Sequence, residues 1–536
     1  MAIKVSGTTV IDDSRNITDI ENFGDSNTVY YGDGSNLSGV EFGVSNFVAS
    51  GAISNGDTVI VNTDGTASSV SGTQGATAGS YIETYNSTSS KPAVVYDTAN
   101  NKVVIFYADG DNSSYGTARV GTVDATNDTI TFGPAVVFHS DSIKDIHAIF
   151  DPDTSKIIII YVGQASSNRY GTSIVGTVSG NSISFGSEST FFGGRCDSLA
   201  LTYDEGADKP VVAYREFNNS FRGSVRKGYY NNSTSLAWGS STTFQNTDTG
   251  SDSISLTYDP DQGLIVVCWG DHSSTASPPV ILGKAATGNA TGTGITLNSA
   301  VTFDSGVQSG YTGGAQYSTM VYDTTNDKLV IFWGTYGLDG YAIVGTVGSS
   351  SITFGTATEF EDDAARLTSS VYDSNSGKIV VFYTRQKFSP NPVGYFGTVL
   401  SATVSGNSIS FSPKYEYDSG DTNDGYRAIA FDPNTNRCIG IYNSNSGSVT
   451  GKTIIINSDG INGNLTTENY IGIAAEAIAD GATGKINIVS GVNASQTGLT
   501  AAQKYYVNGL GGLSLTPSIP SVVAGTSISS TEIVVK

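Results

Sequence analysis

Through the middle of the chain, short runs of β-branched and aromatic residues alternate with stretches rich in Asp, Asn, Gly, Ser and Thr. The segment Ser369 to Tyr383 (SSVYDSNSGKIVVFY) is representative. A short β-type run leads into a turn-rich stretch from Asp373 to Gly377, and Lys378 then opens a β-branched run that closes on an aromatic. This pattern predicts a β-hairpin. A third run follows, seen as GTARVGTV (Gly116 to Val123), GTSIVGTV (Gly171 to Val178) and YAIVGTV (Tyr341 to Val347). A fourth appears as TITFG (Thr129 to Gly133), SISFG (Ser182 to Gly186) and SITFG (Ser351 to Gly355). Four strands per unit make one propeller blade.

The unit repeats. An aromatic-Asp pair marks it at Tyr96-Asp97, Phe150-Asp151, Tyr203-Asp204, Tyr258-Asp259, Tyr322-Asp323, Tyr372-Asp373 and Phe431-Asp432. The mean period of about 56 residues is longer than that of familiar blades but keeps their rhythm. The seventh unit has strands near Arg427 to Phe431, Arg437 to Tyr442 and Lys452 to Ile456, but no SITFG-like run follows them. Upstream of the first unit, SYIETY (Ser80 to Tyr85) stands where TATEF (Thr356 to Phe360) and PKYEY (Pro413 to Tyr417) stand before later units. Ser80 to Tyr85 is therefore expected to supply the missing strand and close the ring, leaving no long open sheet edge. The predicted fold is all-β: a seven-bladed β-propeller over residues 80–457, closed by its own N-terminal strand.

The flanks differ in composition. Residues 1–45 are Gly-, Asn-, Asp- and Ser-rich, too polar for a core of their own, and suit an attachment or oligomerisation segment. Residues 46–79 read as a hairpin about Asn62 to Gly65 and a linker. In the C-terminal β-module, residues 458–536, Tyr470 to Gly491 parallels Phe47 to Gly65, with Ala-Ile-x-x-Gly in both. The two are expected to form one composite module into which the propeller is inserted.

Charge and composition narrow the function. Gly is 64 of 536 residues and charged residues are only 14%, which excludes disorder, collagen and coiled coil. A net charge of −22 disfavours nucleic acid and anionic lipid as partners. Three distant cysteines form no CxxC pair, so neither a disulfide framework nor a zinc site is expected. The longest strongly apolar run, Ile157 to Val162, is far short of a membrane span. With no signal-peptide pattern at the N-terminus, these features predict a soluble protein made in a cytoplasm.

Candidate chemistry is sparse. The repeated Asp resembles the start of a calcium loop, but most units carry one Asp followed by Ser, Thr, Asn or Gly, whereas calcium needs six to eight oxygens. An Asp bonding the backbone of its own turn explains the pattern, and the Lys or Arg five positions on is expected to face that Asp across the hairpin. Of the three histidines, His139 and His147 lie on the approach to one blade and His272 follows Trp269-Gly270-Asp271 in a loop, so a three-ligand site would have to bridge distant blades. Glu216 beside Arg215 reads as a solvated loop carboxylate. No catalytic residue, cofactor or metal is predicted.

The opening MAIKVSGTTVIDDSRNITDI, the element GDGSNLSGV (Gly32 to Val40), the YGTxxVGTV and SISFG units, and the closing YYVNGLGGLS and PSVVAGTSISSTEIVVK together resemble tail-fibre and related virion structural proteins of tailed phages that infect marine bacteria, cyanobacteria among them. The resemblance implies a fibre or appendage subunit, often homotrimeric. Its N-terminal end would join other virion proteins of the tail, neck or baseplate, and its distal domain would meet the host surface. A neck, head or tail component whose propeller packs against other subunits is the alternative; a propeller enzyme that degrades polysaccharide is a third reading. For a host glycan, the loops that break the repeat are the candidates: Arg215, with Phe221 and Arg222 in the segment Asn218 to Arg226; His272 in the long fourth interval; and Arg385, Lys387 and Phe388. Their cations would suit an anionic polysaccharide.

Overall fold

The computed structural model describes residues 3–5, 8–11 and 43–536, apart from 87–89, 126, 164–168, 273–280, 291, 307–314, 336–337, 388–393, 420–425, 445–449 and 518–519. Among the described residues the chain is all-β apart from one 3₁₀ turn at Gly110–Asn112, and it divides into two units. One comprises Val70–Glu468 with Tyr506–Val522; the other comprises Met1–Ser69, Asn469–Tyr505 and Val523–Lys536.

The larger unit is a seven-bladed propeller. Its seven first strands are Ala93–Asp97, Val136–Asp151, Cys196–Asp204, Ser255–Asp259, Gln316–Asp323, Ala364–Asp373 and Arg427–Asp432. Each packs beside the next, and the last returns to the first, so the ring is closed. The sixth blade shows the plan. Ala364–Asp373 pairs Lys378–Lys387, which pairs Gly394–Ser405. The outer position is shared by two short strands, Ser408–Phe411 and Tyr415–Ser419, both antiparallel to Gly394–Ser405. The SITFG and TATEF motifs are thus two halves of one outer edge. The second strands are covered on both faces by neighbouring blades, which is why they read as unbroken apolar runs. Every residue of Ile379–Tyr383 is fully buried.

Closure uses more of the N-terminal segment than Ser80 to Tyr85. Thr450–Gly463, the third strand of blade seven, pairs both Gly72–Ala78 and Ile82–Asn86. Ile82–Asn86 takes the TATEF place, as the sequence pattern indicated, and Gly72–Ala78 takes the place of the missing SITFG. That strand, GTQGATA, lacks β-branched alternation because small side chains suit its position: a Cβ on Gly75 would lie 2.8 Å from Ser412 of the sixth blade.

The Asp of each aromatic-Asp pair accepts from the backbone of its own turn, Asp204 from Ala207 N–H at 2.9 Å and the other six as follows. Asp373 accepts from the backbone N–H of Asn375 and Ser376 at 2.9 and 3.1 Å, and Asp97, Asp151, Asp259, Asp323 and Asp432 do the same two and three residues on. The expected ion pair across the hairpin does not form. Asp373 and Lys378 are register partners, but the buried carboxylate is engaged by its own turn and Lys378 reaches Asp459. Arg437 likewise turns to Asp128, and Lys156 to the hydroxyl of Thr177.

The smaller unit is built from both chain flanks. Val44–Val48 pairs Thr483–Asn487, which pairs Tyr470–Ala474; Tyr470–Ala474 pairs Thr58–Val61, which pairs Ala67–Ser69. The two Ala-Ile-x-x-Gly segments face one another, with Ile53 N–H donating to Ile478 O at 2.9 Å and Ile478 N–H to Ile53 O at 2.8 Å. Ile53, Val59, Ile478 and Ile486 form its core. Val492–Asn493, Ile533–Val535 and residues of Val522–Ser527 add a further antiparallel set. Of residues 1–42, expected from sequence to be an attachment segment, the described ones form a two-stranded pair, Ile3–Val5 with Thr8–Ile11; the rest lie outside the described residues.

Candidate functional site

The chemistry of the propeller gathers where the seven first strands converge. Counting back five residues from the aromatic of each aromatic-Asp pair gives Lys91, Asp145, Ser198, Tyr317 and Tyr426 in five blades, and Asp252 stands six before Tyr258. Several of these first strands are bulged just there, with register breaks between Lys144 and His147, Asp197 and Ala200, and Gln316 and Thr319. Asp145, Ser198, Asp252 and Tyr317 have φ of +51° to +56°. A bulge re-aims the side chain it carries, and here it brings unlike side chains to one cavity of about 280 Å³, lined from all seven blades.

Lys91 from blade one forms an ion pair with Asp252, which precedes the first strand of blade four. Its ammonium lies 5.2 Å from the ring centre of Tyr426. The Asp252 N–H donates to Ser198 Oγ at 3.1 Å, and Thr368 Oγ1 donates to the carbonyl of Tyr317. Burial opposes the charge on Lys91, but Asp252, Asp145 and Tyr426 outweigh it and raise its pKa. Burial would raise Asp252 as well; Lys91 reverses this and holds it low. Asp145, which lacks so close a cation, is raised by burial. Burial, assisted by Lys91, pushes His147 down to about 3, and burial lifts the Tyr426 phenol to about 12. At neutral pH this cavity therefore holds a Lys-Asp ion pair beside neutral His147 and the neutral Tyr426 phenol.

Three of the residues singled out from sequence come together beside this mouth. Arg215 binds Asp197 through Nε and Nη2 at 2.7 and 3.1 Å, and its Nη1 donates to Thr249 O at 3.2 Å. The guanidinium lies 4.9 Å from the Phe221 ring centre. Phe221 O accepts from Thr249 N–H at 2.9 Å, and His272 N–H donates to Asp248 O at 3.0 Å. Arg215, Phe221 and His272 thus share the strip Asp248 to Gly250, and Arg215 helps hold Asp252 ionised. Arg222 instead serves Glu216, which accepts from Asn219, Arg222 and Ser224 at 3.0, 2.8 and 2.6 Å. Burial acts to raise the Glu216 pKa, but these three donors lower it overall, and it is buried rather than the solvated loop group expected.

Arg385 and Lys387 belong to a separate cluster on blade six. Arg385 contacts Glu361, Asp363 and Glu416 at 3.1, 2.9 and 3.0 Å. Lys387 contacts Glu416 at 2.6 Å and lies 4.4 Å from the Phe396 ring centre. Phe388 lies outside the described residues. The cations named for an anionic polysaccharide are therefore already matched by carboxylates of this chain, and an anionic ligand would have to displace them. Among the described residues, Glu361, Asp362 and Asp363 bring carboxylate oxygens within 4.8 Å of one another, but Lys414 bonds Glu361 and Asp362 at 2.7 and 2.6 Å, supplying the positive charge there.

Sequence reasoning missed the channel mouth. The available signal was the unlike chemistry of positions at one fixed offset in a repeat whose structural positions stay alike.

No protein-family model matches the chain, and no curated protein matches it in sequence. Among solved structures it is similar to the Pseudomonas aeruginosa periplasmic gluconolactonase PpgL, with 12% identity and a TM-score of 0.43 over 73% of this chain and 99% of that one. It is also similar to Sqt1 of Saccharomyces cerevisiae, with 10% identity and a TM-score of 0.39 over 78% of this chain and 99% of that one. Among the described residues no helix is long and apolar enough to cross a membrane.

Proposed function

We propose that this chain is a non-enzymatic virion protein, a fibre or appendage subunit that attaches through its N-terminal segment and presents the propeller for host-surface binding. The observation that carries the reading is the smaller unit's sheet, in which residues 44–61 pair with residues 470–487. The whole propeller sequence is spliced between those halves. A head that leaves and re-enters one small module is connected at both ends, which suits display. The opening and closing segments that resemble phage fibre proteins support the same reading.

The test is deletion of residues 1–42, which spares Val44–Val48 and its pairing. Particles assembled with the truncated chain should lack the protein by mass spectrometry, while the purified truncation keeps the thermal transition of the full chain. Normal incorporation of the truncation would overturn the proposal.

A further inference from the structure

We propose that the mouth of the propeller's central channel binds one neutral hexopyranose unit, such as the terminal sugar of a surface glycan; its biological setting rests on the host-surface reading above. The cavity, about 280 Å³, is just smaller than the ~300–1,000 Å³ of drug-sized small-molecule sites, so it suits one sugar ring and not an oligosaccharide. Lys91 and Asp252 keep 16% and 27% of their side chains exposed, so a ligand can reach both. An ammonium and a carboxylate held side by side offer a donor and an acceptor together, and two neighbouring hydroxyls complement that pair by accepting from one and donating to the other.

Tyr317 and Tyr426 also line the cavity, and an aromatic ring offers an apolar face to the C–H side of a pyranose. Charge selects against ionic ligands. Lys91 is already met by Asp252, with Asp145 nearby, so an anion would face these carboxylates and a cation would compete with Lys91 itself.

The test titrates the full-length protein with the methyl glycosides of glucose, galactose and mannose, and separately with glucuronate and glucosamine, by ligand-detected NMR and calorimetry. At least one neutral glycoside should bind saturably at one site per chain. The double variant Lys91→Met/Asp252→Asn removes both charges together, so neither is left buried alone, and should weaken binding by about tenfold or more. Tyr426→Leu should do likewise, and it decides the matter if thermal melting shows the double variant unfolded. Lys378→Ala, at the hairpin turn of blade six where it pairs Asp459, should bind as the parent does. The proposal is overturned if no neutral glycoside saturates, if Tyr426→Leu and a folded double variant bind unchanged, or if glucuronate binds more tightly than every neutral sugar. Absence of the protein from particles would overturn the host-surface reading alone; absent sugar binding by a protein present in particles would overturn only this inference.

Discussion

The ring of Tyr85 lies directly over Gly451, where an added Cβ would meet it at 2.1 Å. The same relationship recurs as Phe138 over Gly116, Phe191 over Gly171, Phe244 over Gly223, Phe303 over Gly283, Phe360 over Gly340 and Tyr417 over Gly397. Only in blade seven do the partners come from opposite ends of the propeller sequence, so this pair seals the ring. Thr84 and Thr453 add a buried hydroxyl contact of 2.7 Å beside it. Gly451→Ala should therefore cost about 1–3 kcal/mol by overpacking, measured by denaturant unfolding. Gly193→Ala, where an added Cβ meets nothing, should stay within about 0.5 kcal/mol of the parent. Equal stabilities for the two variants would remove the closing role from Tyr85.

The turn carboxylate and the lysine paired with it in register should differ sharply. Asp373, 1% exposed, accepts from two backbone N–H groups and the Ser376 hydroxyl, the latter at 2.8 Å, and from the Ser458 hydroxyl. Asp373→Ala strands these donors at about 1–3 kcal/mol for each one left buried and unpaired. Lys378→Ala loses only a part-exposed pair with Asp459, worth under ~1 kcal/mol. Comparable losses for the two variants would restore the cross-hairpin ion pair as the stabilising contact.

His147 gives the propeller a pH dependence of definite sign. Its folded pKa is pushed down to about 3, below the ~6.5 of an unfolded chain. Between those values the unfolded state binds more protons, so this contribution to stability is complete above about pH 6.5 and is lost as pH falls toward 3. His147→Gln should flatten the slope of unfolding free energy across that window and leave it unchanged above pH 7. An identical slope in the variant would show that His147 titrates normally in the folded chain.

Arg385 should matter for stability. It shares the fully buried Glu361 with Lys414 and with the Tyr383 hydroxyl, the latter two each at 2.7 Å. Arg385→Met should destabilise clearly, though by less than the ~3–5 kcal/mol of a wholly broken buried pair, because Lys414 remains. Lys387→Ala, whose partner Glu416 is part-exposed, should cost under ~1 kcal/mol. A neutral Arg385→Met would mean that Lys414 alone compensates Glu361.

What was legible in sequence was local. Asp373 bonds within three residues of itself, and each hairpin closes over a few positions, so the turns, the strand order and the count of seven follow from neighbouring residues repeated along the chain. The recurrence of an aromatic at Tyr85, Phe360 and Tyr417 carried the closure, since packing over a strand-three glycine demands the same residue type in every blade. The glycan candidates were only partly legible. Arg215, Phe221 and His272 do converge, and Arg222 meets Glu216 across a six-residue hairpin, but the carboxylates that match Arg215 and Arg385 stand some twenty or more residues away in sequence or on other strands, where local spacing does not relate them.

The amino-acid sequence by itself determined the all-β repeat, its blade number, the Asp-centred turns and the likeness between the two flanking Ala-Ile-x-x-Gly segments, because each depends on contacts close in sequence or on a pattern copied from unit to unit. Only the tertiary structure decided that Gly72–Ala78 is a strand, that Ile53 meets Ile478, that the lysines turn away from the aspartates they pair with in register, and that Lys91 meets Asp252 at the channel mouth. These choices rest on partners brought together by ring closure and by bulges that re-aim side chains, and no run of adjacent residues encodes which distant backbone or charge will stand opposite.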